Sequence, residues 1–216
     1  WMLNSAMPGM LWQLYDWYLM PNGAFYGAKN GCRPLNMVYH YKDHSVCLNN
    51  NYLHAVDDLS AEIRMLSIDG KELFFKTMET RIGANQSSKL YSLPVVQCCE
   101  NIYFLDLRLK TSVSKRPMVN FYWLSTKPDV LDYESGEWFL TANSSFADFT
   151  AINRMDKVQI KTVYTFVKQN EKTLIQVDLE NPTDGIAFFI ELSVKDSRTG
   201  LTLLPVFWED NYISLL

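Results

Sequence analysis

Beyond residue 33 the chain is built from short runs in which apolar and polar side chains take turns. Residues 36–41, 45–49, 59–68, 71–77, 87–94, 101–109 and 119–124 each read as a strand. Asp69-Gly70 stands between the third and fourth runs and is a strong hairpin signal. In 101–109, Tyr103, Leu105, Leu107 and Leu109 fall on one side while Phe104, Asp106 and Arg108 fall on the other, so one face is apolar. Short strands in this number, with turns every ~8–12 residues, predict an immunoglobulin-like β-sandwich over residues 33–126.

Lys127-Pro128-Asp129 marks a boundary, and residues 129–147, rich in Asp, Gly and Ser, read as a loop. Asp148 is placed to cap one or two helical turns. Strand runs then resume at 158–164, 172–179, 187–194 and 201–208, with turns at Asn181-Pro182 and at residues 198–200. Residues 127–216 therefore read as a second sandwich of the same class, without a sequence repeat at a fixed period.

The first 32 residues have a different texture. Residues 1–8 read as a short buried strand ended by Pro8-Gly9, and residues 9–20 are apolar without a clean period. Pro21-Asn22-Gly23 makes a turn, and residues 24–32 form a short helix closed by Gly31. The chain opens on Trp1 with an apolar run already under way, and three of its six Trp (Trp1, Trp12, Trp17) fall within its first seventeen residues. Chain termini are ordinarily polar, so this opening reads as a cut through the interior of something larger, with an exposed aromatic patch that drives self-association.

Composition narrows the function classes. A net charge of −4, with 20 Lys and Arg against 24 Asp and Glu, offers no basic footprint for nucleic acid. No apolar run reaches the roughly 18–20 residues needed to span a bilayer, so no membrane partner is expected. The four Cys (Cys32, Cys47, Cys98, Cys99) match no zinc spacing, and no carboxylate spacing beside His40, His44 or His54 argues for a metal; neither metal nor cofactor is expected. Cys98 and Cys99 point to opposite faces if they lie in a strand. A bridge from Cys47 to one of them is open, with free buried thiols the favoured reading. Asn85-Gln86-Ser87 and Asn143-Ser144-Ser145 fit the N-glycosylation pattern, but with no known eukaryotic secretory origin the match is discounted.

Aromatic residues make up 14% of the chain, and Tyr and Trp either stack on sugar rings or fill sandwich cores. Trp123, Trp138 and Trp208 suit a carbohydrate platform or, preferably, interdomain packing.

The most specific residues stand in the opening stretch: Trp1, Leu3, Asn4 and Pro8, then Trp12, Tyr15, Asp16, Tyr18, Gly23, Phe25, Tyr26, Gly27 and Lys29. Together with residues 120–125 and 204–216 they resemble glycoside hydrolases of family two, in the exo-β-D-glucosaminidase and β-mannosidase branch, over essentially the whole chain. Met7 departs from the pattern, since the family usually carries a second Trp there. The resemblance implies a mainly β chain: residues 1–32 as the last strand and helix of a (β/α)8 barrel, then immunoglobulin-like sandwiches at 33–126 and 127–216. It implies that Trp1, Asn4 and Trp12 bind substrate, a β-linked glycan, and that the sandwiches pack on the barrel. A retaining glycosidase works with two carboxyl groups about 5–5.5 Å apart. In the family both lie on barrel strands upstream of Trp1, so no catalytic residue is expected in this chain. A carbohydrate-binding sandwich module is the alternative. The resemblance also suggests a periplasmic or extracellular setting.

Overall fold

The computed structural model describes residues 3–5, 7, 13–96, 101–114 and 116–216. It divides into two compact units, Pro34–Lys157 and the pair of segments Trp1–Arg33 and Val158–Leu216.

In the unit Pro34–Lys157 the seven expected runs fall on seven strands. β1 (Leu35–His40), β2 (Ser45–Asn50) and β5 (Gln86–Ser92) form one sheet in the order β1-β2-β5. β3 (Val56–Ser67), β4 (Glu72–Ile82), β6 (Ile102–Thr111) and β7 (Met118–Ser125) form the other in the order β4-β3-β6-β7. Every pairing is antiparallel. Met37 and Leu48 from the first sheet and Ile63, Met65, Leu105 and Leu107 from the second enter one buried cluster, the shared core of an immunoglobulin-like sandwich. Each such side chain contributes about 1.5–3 kcal/mol by leaving water.

Alternation along β6 is true but incomplete. Leu105, Leu107 and Leu109 face the core as expected, yet Phe104 and Asp106 on the opposite face are also buried. A carboxylate buried to that degree needs charged partners. Arg108 Nε donates to Asp106 Oδ2 at 2.7 Å, and the register sets Arg64 of β3 beside it.

Residues 129–147, expected as a loop, instead contain a hairpin, β8 (Val130–Glu137) and β9 (Leu140–Ser145), with Val130 opposite Ser145 and Asp132 opposite Ala142. Most of its side chains are exposed, so no apolar face exists for a pattern to reveal. The helical turns expected after Asp148 are a 3-10 helix at Thr150–Arg154, and Asp148 Oδ1 accepts from the Thr150 amide at 3.0 Å and its hydroxyl at 2.7 Å.

The other unit holds α1 (Gly23–Gly31) and two hairpin-like pairs. α1 begins where Asn22 Oδ1 accepts from the Phe25 amide at 3.2 Å, an N-cap that satisfies one orphan donor. β10 (Lys161–Gln169) pairs with β11 (Lys172–Glu180), and one face of the pair gathers Tyr164, Phe166, Ile175 and Val177. β12 (Ala187–Ile190) pairs with β13 (Ile213–Leu215).

Three local expectations are corrected. Residues 201–208 form no strand: Thr202 makes an isolated bridge to Lys195, and Pro205 has no N–H for a ladder. Residues 1–8 form no buried strand among the described residues; only Asn4 bridges, and Leu3 and Met7 are exposed. Cys32 and Cys47 are free thiols, but Cys32 is exposed rather than buried because it follows the last residue of α1. Cys98 and Cys99 lie outside the described residues.

Candidate functional site

The opening segment is organised by backbone pairing around Tyr15. Its amide donates to the Leu3 carbonyl at 2.9 Å and its carbonyl accepts from Ser5 at 3.2 Å, a parallel bridge centred on Asn4. Asn4 itself is exposed. Trp1 and Trp12, the other residues expected to bind substrate, lie outside the described residues.

Residues 16–20 close on themselves. Asp16 Oδ1 accepts from the Met20 amide at 2.8 Å, and the Asp16 amide donates to the Met20 carbonyl at 3.0 Å. Nothing in the sequence pairs with Asp16, yet in the fold its carboxylate is a loop clasp. The loop turns through Leu19 at φ 62°, a left-handed conformation that costs an ordinary residue energy. Trp17, Tyr18 and Leu19 are thereby held out to solvent.

Beneath the loop runs a chain of ring contacts. Tyr15 meets Phe25 at 5.1 Å, Phe25 meets Tyr26 at 5.1 Å, Tyr26 meets Tyr212 at 6.0 Å and Tyr212 meets Phe189 at 5.2 Å. Lys29 adds a charge over the Tyr26 ring at 6.0 Å, and its Nζ donates to the Glu209 carbonyl. Segments far apart in sequence are thus joined through aromatic side chains.

Between the loop and the final segment lies a cleft of about 370 Å³, lined in part by Asp16, Tyr18, Glu191, Lys195, Asn211 and Tyr212. Its carboxylates already have work. Asp16 clasps its loop, and Glu191 accepts from the Tyr212 hydroxyl. Burial first, and the Glu191 carboxylate second, push the Tyr212 phenol up from its ordinary value. Asp210 close by is also raised by burial, with Arg33 and Lys29 pulling it back. The lining mixes hydrogen-bonding groups with two Tyr rings. The meeting of residues 191–212 with Asp16 is tertiary and leaves no local spacing in the sequence. Among the described residues, no group of three or more His, Cys, Asp or Glu converges as a metal site.

The aromatic row considered for a carbohydrate platform does not form within the unit Pro34–Lys157. Trp123 lies on β7, whereas Trp138 stands 95% exposed at the turn between β8 and β9, on a separate sheet. Trp208, in the other unit, is partly buried.

Residues 138–216 match the family model for the exo-β-D-glucosaminidase Ig-fold domain. The exo-β-D-glucosaminidase of Arthroderma benhamiae is 34% identical over 215 residues, which cover all of this chain and 24% of that protein. That of Amycolatopsis orientalis is 34% identical over 220 residues, covering all of this chain and 21% of the relative. The solved structure of Amycolatopsis orientalis exo-chitosanase CsxA, a variant in complex with PNP-β-D-glucosamine, is similar with a TM-score of 0.90 and 34% identity, over all of this chain and 26% of that one. The chain therefore spans about a quarter of the length of the curated relatives it matches. Residues 138–216 are thus similar to the exo-β-D-glucosaminidase Ig-fold domain, and the chain as a whole is similar to the C-terminal portion of the exo-β-D-glucosaminidases of glycoside hydrolase family two.

Proposed function

We propose that this chain works as the non-catalytic C-terminal portion of a retaining exo-β-glycosidase whose longer protein removes β-linked glucosaminide or mannoside units from the non-reducing end. The observation that carries this reading is similarity along the full length of the chain to exo-β-D-glucosaminidases, in sequence and in backbone. In this reading residues 1–32 complete the last strand and helix of the barrel. Residues 33–126 and 127–216 are the sandwiches that buttress it. Trp1, Asn4 and Trp12 contact the sugar, and the exposure of Asn4 supports its part in that set. Catalysis of this class needs a carboxyl pair held apart at a defined spacing, and both carboxylates described in the cleft serve as hydrogen-bond acceptors within the fold.

The test is hydrolysis of nitrophenyl β-glucosaminide and nitrophenyl β-mannoside by this 216-residue chain and by the longer protein in parallel. Turnover is expected from the longer protein alone. Turnover by the chain itself would place the catalytic acids within it and overturn the reading.

A further inference from the structure

Two sequons stand in the sequence, and the fold treats them differently. Asn85 lies in the turn between β4 and β5, outside either strand, and Asn85, Gln86 and Ser87 are all exposed. Its φ of 45° falls in the left-handed region, which Asn tolerates better than most residues. The turn is braced from below. Asn50, a buried side chain, donates from Nδ2 to the Gly83 carbonyl at 2.9 Å, and the Asn85 amide donates to the Tyr52 carbonyl at 2.8 Å. Asn143 sits instead within β9, where it is paired with Leu131 and only partly exposed. Its Nδ2 lies 3.4 Å from Asp129 Oδ1.

We propose that Asn85 is an acceptor for an N-linked glycan and that Asn143 is not. Transfer forms a bond between Asn85 Nδ2 and the anomeric carbon of an oligosaccharide. It breaks the bond from that carbon to the pyrophosphate of a polyprenyl donor and releases an amide proton, so the acceptor nitrogen must be reachable and uncommitted. At Asn85 it is both: its backbone is held by the turn, and among the described residues its side-chain amide has no hydrogen bond. A bulky, solubilising group is tolerated where the chain turns at the surface. At Asn143 the same group would displace Asp129 from the amide and crowd the β8 partner. Asn85 is also a turn residue, so its presence alone does not separate the two roles. Ser87 completes the sequon: it lies on β5 opposite Asn49 and is exposed.

The experiment is secretion of the chain, behind a signal peptide, from a yeast host, followed by glycan release with an amidase that converts the acceptor Asn to Asp and by peptide mass spectrometry. Conversion at Asn85 is expected in the starting protein and in N143Q, and is expected to vanish in both N85Q and S87A. An unmodified Asn85 in the secreted protein, or a glycan that survives S87A, would overturn the proposal. So would equal occupancy at Asn143.

Discussion

Asn211 clasps Leu192 from both sides: its Oδ1 accepts the Leu192 amide at 2.6 Å and its Nδ2 donates to the Leu192 carbonyl at 3.0 Å. The side chain stands in for a neighbouring strand, just beyond β12 where the ladder has stopped. Asn211 is buried, so removing it strands two backbone groups as well as losing two bonds. N211A is expected to cost about 2–4 kcal/mol. N211D keeps an acceptor but loses the donor, and should fall between. Urea unfolding of the three proteins checks this, and an N211A midpoint equal to that of the starting protein would remove the clasp from the account.

Two carboxylates in the sandwich Pro34–Lys157 should respond to pH in opposite directions. Asp43 accepts from the Ser45 hydroxyl at 2.6 Å, Lys89 Nζ at 2.9 Å and His40 Nδ1 at 2.7 Å. These bonds, the Ser45 one foremost, hold its carboxyl well below the usual range. Its contribution is therefore present above the unfolded value of about 3.9 and is lost as pH falls toward the folded value. Asp106 is raised, by burial first and against the pull of Arg108 and Arg64. The fold favours its protonated form, so that contribution is complete below the unfolded value and is lost as pH rises through the folded one. Guanidinium midpoints from about pH 3 to pH 7 should show the stability advantage over D43N growing with pH and the advantage over D106N shrinking. Parallel trends for the two variants would contradict the assignment.

Leu105 lies in the middle of β6, fully buried between β3 and β7. L105A is expected to destabilise the sandwich by about 2–5 kcal/mol, because transfer energy is lost and a cavity is left. Leu131, exposed on β8, should accept Ala within about 0.5 kcal/mol. Thermal unfolding of the pair decides it: similar costs at both positions would mean that burial does not rank these sites.

Trp17, Tyr18 and Leu19 are exposed together on the loop that Asp16 closes. Contiguous apolar surface of this kind promotes association. Light scattering is expected to show concentration-dependent growth in apparent mass for the 216-residue chain and a reduced effect in the double variant W17S/Y18S. A monodisperse monomer at all concentrations would count against it.

What the sequence disclosed follows from where burial is one-sided. β3 and the core side of β6 alternate because one face meets the other sheet, and Asp69-Gly70 names its own turn. β8 and β9 leave no pattern in the sequence because their side chains are exposed on both faces, and the ladder alone has no period. Residues 201–208 carried strand-like composition, but composition does not supply the N–H that Pro205 lacks. In the cleft, Asp16 and Tyr212 stand in stretches that carry the resemblance, whereas Glu191 and Lys195 carry no signal of their own. Their approach to Asp16 depends on a pairing of segments about 175 residues apart, which no window along the chain spans.

That pairing also sets an order of events during synthesis. The unit holding Trp1–Arg33 also needs Val158–Leu216, while Pro34–Lys157 is complete in one continuous stretch. A ribosome adds about 5–20 residues per second, so the sandwich can form while the final segment is still being made. The Tyr15, Phe25 and Tyr26 rings meanwhile wait for Phe189 and Tyr212. For roughly 10–40 seconds at those rates, the most aromatic stretch of the chain has left the ribosome without its packing partners, and it is in that interval that a chaperone has something to hold.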